Sequence, residues 1–177
     1  IFAGAKPVII DLKAENEFRL TPEELEAAIT PKTKLVLLTY PNNPTGAIME
    51  KEDLEKIAKV IIEHDLFVLS DEIYSELNYA DDKPSTSIAS LPGMRDRTIV
   101  INGFSKAFAM TGWRMGWAAG PAVVIKQMMK VHQFAIMCPP TMSQYASIEA
   151  LRNGLDDVVY MRNEYNGRRK YLLKRFA

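Results

Sequence analysis

The chain runs to 177 residues, enough for one ordinary domain, which argues against two full ones. Its residues are 47% hydrophobic and 25% charged, the usage of a soluble globular chain, which argues against disorder. Lys plus Arg and Asp plus Glu number 22 each, so the formal charge is zero and the electrostatic case for a nucleic-acid or membrane-surface binder falls away.

The single cysteine, Cys138, rules out an intramolecular disulfide and any Cys-rich zinc site, and a reduced cytoplasm is the simplest compartment. The longest apolar stretches are strand-sized or interrupted by Lys or His, so none is expected to span a bilayer. The N-terminus, Ile1-Phe2-Ala3-Gly4-Ala5-Lys6, has neither an initiator Met nor a signal-peptide pattern and reads as the interior of a longer gene.

In chain order, Pro7–Asp11 predicts a short buried strand. Thr21-Pro22-Glu23-Glu24 supplies an N-cap, a Pro at N1 and a Glu at N3, which predicts a helix to about Ile29. Lys34–Thr39 predicts the next strand, ended by Pro41-Asn42-Asn43-Pro44. Leu54, Ile57, Ala58 and Ile61 recur at helical spacing, so Lys51–His64 is expected to be an amphipathic helix. Leu66–Ser70 and Thr98–Asn102 read as strands, with Asp81-Asp82-Lys83-Pro84-Ser85 between them as a polar loop. Met115–Ala119 predicts a further strand, closed by Gly120-Pro121, after which helical patterns run from Ala122 with breaks at Pro139-Pro140 and Asn153-Gly154. The final stretch, Leu155–Phe176, predicts one long basic helix. Strands alternating with helices imply an α/β fold, a three-layer α/β/α arrangement with a mostly parallel sheet.

In such sheets ligands sit beyond the carboxyl ends of the strands, so the residues just after each strand are the place to look. There lie Asn43, then Asp71 and Tyr74, then Ser105 and Lys106, with Arg114 farther along the same turn. Lys106 sits beside Phe104, Ala107 and Phe108; desolvation there would lower an amine's pKa, as an imine-forming lysine requires, although most lysines are solvated surface charges. Asp71 either caps a helix beginning near Ile73 or holds a proton on a heteroaromatic nitrogen, making that ring a better electron sink. Tyr74, three residues on, shares a face with Asp71 if the turn is helical; a core tyrosine is the plain alternative. Asn43 precedes a Pro and is aimed by that turn, unless the pair is only an ordinary Asn-Pro turn. Arg114 suits a phosphate through its planar fork, and Ser105 with neighbouring backbone amides adds donors.

Asn43-Pro44-Thr45-Gly46, Ser70-Asp71-Glu72-Ile73-Tyr74, Asn102-Gly103-Phe104-Ser105-Lys106 and Thr111-Gly112-Trp113-Arg114-Met115-Gly116 together resemble the class I/II aminotransferases. These are fold-type I enzymes dependent on pyridoxal 5′-phosphate (PLP), and the likeness is to their aspartate-aminotransferase-like branch. The resemblance covers essentially the whole chain. It implies that Lys106 carries the cofactor and shuttles the proton, and that Asp71 pairs with the pyridinium nitrogen. It gives Tyr74 and Asn43 to the 3′-oxygen, and Arg114 and Ser105 to the phosphate. Gly103 stands where many members have another phosphate-binding hydroxyl residue. The resemblance further implies amino-acid and 2-oxo-acid substrates and a homodimer. Residues 1–177 would form part of the large, PLP-binding domain, without the N-terminal segment or the C-terminal small domain, and such a piece is expected to keep its lysine anchor but transaminate poorly alone. Carbon–sulfur β-lyases of the same fold often carry His where Tyr74 stands, which favours transamination here. A non-catalytic phosphate-ligand-binding module, or a purely structural, dimerising piece, are the competing readings.

The remaining chemistry-bearing residues receive plain assignments. His64 is expected to cap a helix C-terminus. His132 has no second ligand at metal spacing, and no metal site is expected. Cys138 and Met128, Met129, Met137 and Met142 read as packing residues, and Arg168-Arg169-Lys170 with Lys174-Arg175 as a solvated helix face.

Overall fold

Strand β1, Leu35–Thr39, alternates exposed and buried residues, with Val36 and Leu38 facing inward. Strand β2, Phe67–Asp71, lies parallel to it with Leu35 opposite Phe67 and Thr39 opposite Asp71. Strand β3, Thr98–Gly103, is parallel to β2, with Asp71 opposite Ile101. Strand β4, Gly116–Ala119, closes the order β1-β2-β3-β4 antiparallel to β3, pairing Gly116 with Gly103. The structure, a computed structural model, describes residues 3–80 and 84–176.

Helix α1, Pro22–Ala28, starts at the capping box expected from sequence: Glu24 N–H donates to Thr21 Oγ1 (3.3 Å) and Thr21 N–H to Glu24 Oε2 (3.1 Å). Helix α2, Lys51–Glu63, buries Leu54, Ile57, Ala58 and Ile61, the stripe that predicted it. These residues join Leu25, Val36, Leu38, Val68, Ile88 and Met94 in one apolar cluster between the sheet and the two helices. His64 caps α2 and also reaches α1, its Nε2 lying 2.7 Å from Glu26 Oε1. Helices α3 (Ala122–Ala135), α4 (Thr141–Asn153) and α5 (Leu155–Phe176) follow, broken where the prolines and Asn153-Gly154 place the breaks. No described helix is long and apolar enough to cross a membrane.

The α/β class and the mostly parallel sheet stand, and the covering of β1 and β2 is one-sided. On their opposite face Leu35, Leu37 and Phe67 remain 50%, 61% and 41% exposed, so no described helix buries that part of the sheet. Other expectations are corrected. Pro7–Asp11 is no strand: it has no regular structure and pairs with no described strand, and only Ile10 and the following Leu12 pack on the core while Val8 and Ile9 face solvent. An apolar run supplies the side chains of a strand without supplying a partner edge. Cys138, Met129, Met137 and Met142 are exposed rather than packed: α3, which carries Met129, buries none of its residues, α4, which carries Met142, buries only Ser143 and Ser147, and Met137 and Cys138 lie in the link between them. The basic face of α5 is not merely solvated, since Arg169 lies over the Tyr79 ring, 5.5 Å from its centroid, and Arg168 over Tyr165 at 5.6 Å. Of the expected polar loop, Asp81, Asp82 and Lys83 lie outside the described residues; Pro84 is exposed and Ser85 half-buried.

Ile57 is fully buried at the centre of this core. Ile57→Ala is expected to lower the unfolding free energy by about 2–5 kcal/mol, measured by urea denaturation.

Candidate functional site

The carboxyl ends of β1, β2 and β3 lie side by side, and the segments leaving them carry the residues singled out from sequence. After β1 the chain turns through cis bonds at Tyr40-Pro41 and Asn43-Pro44, and Asn42 N–H bonds to the Ala47 carbonyl. Asn42 Oδ1 accepts from Thr45 Oγ1 at 2.9 Å, so the turn is held by its own side chains. From it Asn43 Nδ2 reaches the Tyr74 hydroxyl at 3.1 Å. Lys106 Nζ stands over the ring of the same tyrosine, 5.4 Å from its centroid, within cation–π range. Three strand ends therefore meet at Tyr74.

Asp71 is the last residue of β2 and half-buried. Its Oδ1 accepts the Ile73 N–H at 3.1 Å, which pins the turn after the strand and leaves a carboxylate able to take a second donor. No α-helix begins near Ile73. Tyr74, at φ −103° and ψ 10°, leads into a single 3-10 turn over Ser75–Leu77, so the helical face expected to join Asp71 and Tyr74 does not form. The two are kept close instead by that hydrogen-bonded turn.

Lys106 belongs to the loop 104–115 that joins antiparallel β3 and β4. Its base is shut by the Gly103–Gly116 pair and by Phe104 N–H donating to the Met115 carbonyl at 3.3 Å. Phe104, Ala107 and Met110 are buried, and Phe108 packs on Phe104 with ring centroids 5.4 Å apart. These anchors leave Ser105 and Lys106 half-buried between them. Farther along, Thr111 Oγ1 donates to the Ser105 carbonyl (2.9 Å) and Arg114 Nη1 to the Thr111 carbonyl (2.8 Å). Arg114 is exposed and has a left-handed backbone, φ 52°, as has Ala109. Four further guanidinium N–H groups can serve an anion there. From α4, Ser143 Oγ donates to the Trp113 carbonyl at 2.7 Å and braces this end of the loop.

At Gly103 an added Cβ would lie 2.9 Å from both Gly116 Cα and the Met115 carbonyl oxygen. A hydroxyl-bearing residue there would have to push β4 away, so this strand pairing is built around glycine. Sequence reasoning passed over three residues that organise the site. Thr111 bridges Ser105 to Arg114. Asn102 Oδ1 accepts the Gly103 N–H (2.7 Å) while its Nδ2 donates to Ser75 Oγ (3.1 Å), linking β3 to the Tyr74 segment. Glu72 is buried and accepts from Ser70 Oγ (2.9 Å) and Ser87 Oγ (2.7 Å). Only the acidic pair Asp71-Glu72 at a strand end hinted at Glu72, and nothing local marked the other two.

The class I and II aminotransferase family model matches residues 2–177. The chain belongs to this family. It is 50% identical over 177 residues to the aromatic-amino-acid aminotransferase 2 of Thermococcus litoralis, covering 99% of this chain and 45% of that protein. Identity is again 50%, with the same coverage, to an aspartate aminotransferase of Pyrococcus abyssi. Among solved structures, an aromatic aminotransferase from Pyrococcus horikoshii superposes with a TM-score of 0.92 at 48% identity, covering 98% of this chain and 46% of that one. The Thermus thermophilus aspartate aminotransferase with maleate gives 0.90 at 42% identity, with 98% and 45% covered. The chain thus spans a little under half the length of the relatives it matches. The family implies PLP as cofactor, and the donor set here, a carboxylate, a phenol, an amide, an amine and a guanidinium, is chemically suited to it.

Burial pushes the Glu72 carboxyl above its ordinary value of 4.5, the hydroxyls of Ser87 and Ser70 oppose this, and the charge of Asp71 adds to it. A carboxyl group that holds its proton more tightly when folded stabilises the fold at low pH. That contribution is lost as pH rises from 4.5 through the raised value. Glu72→Gln is expected to remove the loss: unfolding free energies compared at pH 4.5 and 7 should fall less for the variant than for the parent chain.

Proposed function

We propose that the chain is part of the PLP-binding large domain of an aspartate-aminotransferase-like enzyme that moves an amino group from an L-amino acid to a 2-oxo acid. The observation that carries this reading is the meeting at Tyr74 of Asn43, 3.1 Å from its hydroxyl, and Lys106, 5.4 Å from its ring. Bound PLP supplies an aldehyde that condenses with an amine and a ring that withdraws electrons. Lys106 is the amine. Its position above an aromatic face lets it swing between anchoring the cofactor and carrying a proton to and from the substrate carbon. Asp71 is the acceptor for the ring nitrogen's proton, and ionic pairing there keeps the ring positively charged. Tyr74 and Asn43, already hydrogen-bonded to each other, present O–H and N–H donors to the ring oxygen. Arg114 and Ser105, coupled through Thr111, take the phosphate, with the guanidinium giving charge-assisted bonds.

Equal identity to relatives named for aromatic amino acids and for aspartate supports assigning the shared cofactor chemistry to this portion, with donor selectivity set by groups elsewhere. We further propose a homodimer, as is typical of the family, and a cytoplasmic location, the simplest compartment for a chain with a single cysteine.

Incubation with PLP, borohydride reduction and peptide mass mapping tests the assignment. Label is expected at Lys106 and absent from that peptide in Lys106→Ala; label spread over the surface lysines would favour a non-catalytic module. Tyr74→Phe, which takes the acceptor away from Asn43, is expected to weaken PLP retention about tenfold in a dialysis assay, the size of one lost hydrogen bond.

A further inference from the structure

Asp71 ends β2, and Glu72, the next residue, turns its carboxyl group to the buried side of the sheet to meet Ser70. Ser70, whose hydroxyl meets Glu72, lies on the buried face with Val68, while Asp71 shares its face with Phe67 and Leu69. Glu72 is held at four points. Its N–H donates to the Ile101 carbonyl (2.9 Å), its carbonyl accepts from Ser75 N–H (2.9 Å), and Oε1 takes both the Ser70 and Ser87 hydroxyls. Ser75 is gripped in turn, its carbonyl by Ser85 N–H at 3.0 Å and its hydroxyl by Asn102 Nδ2. The carboxyl group thus ties Ser70 at the end of β2 to Ser87, while the Glu72 backbone adds β3 and Ser75, so that the residue as a whole fixes the short span between Asp71 and Tyr74. It also lines a small cavity of about 20 Å³ with Tyr40, Ser85 and Ile88, and the Ser85 hydroxyl is buried there without a hydrogen-bond partner.

We propose that Glu72 is a positioning residue for the site: its buried carboxyl group, by accepting the Ser70 and Ser87 hydroxyls, sets the span from Asp71 to Tyr74 that the cofactor must match. This rests on the PLP reading, and it assigns Glu72 no contact with cofactor or substrate. The role belongs to the acceptor oxygen rather than to the charge. Gln keeps that oxygen, whereas Leu keeps the bulk and orphans two hydroxyls.

The test uses the 177-residue chain as wild type, Glu72→Gln, Glu72→Leu and Ser87→Ala, with two readouts. One is amide hydrogen exchange across Ile73–Leu77. Exchange there should be about tenfold faster in Glu72→Leu and about threefold faster in Ser87→Ala, with α2 unchanged and Glu72→Gln like wild type. The other is the pH midpoint of the visible absorbance of the Lys106–PLP adduct. Tyr74 displaced from the ring oxygen should raise it by about one unit, a tenfold change in proton affinity, in Glu72→Leu but not in Glu72→Gln. Unchanged exchange and midpoint in Glu72→Leu, or exchange accelerated equally in α2, would overturn the proposal, as would a Gln variant as impaired as Leu. If Glu72→Leu does not fold, Ser87→Ala decides by the same criteria. If the wild-type chain forms no adduct at Lys106, the PLP reading fails, and the exchange readout alone decides whether Glu72 holds the segment.

Discussion

One row of the sheet, Thr39 beside Asp71 beside Ile101, governs the rest of the molecule. Because β1, β2 and β3 run parallel and in step, their chains leave the sheet at the same level, and three segments far apart in sequence must turn within reach of one another. The antiparallel β4 completes the constraint. By pairing Gly116 against Gly103 it forces residues 104–115 to loop back over the strand ends, carrying Ser105, Lys106 and Arg114 with them. The close approach of those two glycines, where even a methyl group would collide with backbone, fixes the base of the loop. The buried Phe104, Ala107 and Met110 hold its body.

The resulting site has two halves with different physics. Around Tyr74, an amide and an amine are directed at one aromatic side chain, so displacement of any of the three is felt by the others. Around Thr111, a serine carbonyl and an arginine are linked through a single threonine on an exposed, left-handed turn, which suits recognition of a mobile anion. Lys106 adjoins both halves, since it follows Ser105 in the chain and lies over Tyr74 in space. Beneath the first half, Glu72 and Asn102 form a polar brace in and beside the core. An unsatisfied group there would be costly, and that cost resists rearrangement of the turn above.

Much of this architecture was legible in the sequence because it depends on local patterns. The Thr21–Glu24 box, the Leu54–Ile61 stripe and the short apolar runs before Asn43, Asp71 and Lys106 carry their own physical signatures. The strand-end rule then located the site, and the motif likeness named its family. Pro7–Asp11 misled because pairing partners are a tertiary property, and Cys138 with Met137 misled because apolar character does not guarantee a surface to pack against. The turn after Asp71 stayed open between a helix start and a turn, since a single 3-10 turn and a first helical turn look alike over four residues, and the structure has the 3-10 turn. The roles of Thr111, Asn102 and Glu72 were not legible, because a polar residue's partner cannot be read from its neighbours: Asn102 and Glu72 join segments distant in sequence, and Thr111 bridges two residues of one loop.

The most direct measurement is a crystal structure of the chain after reaction with PLP and borohydride. Continuous density from Lys106 Nζ into the pyridine ring, with the ring nitrogen against Asp71, the ring oxygen against Tyr74 and the phosphate against Arg114, is the predicted result. A ring bonded to a different lysine, or bonded to Lys106 but turned away from Asp71, would contradict the convergence on which the account stands.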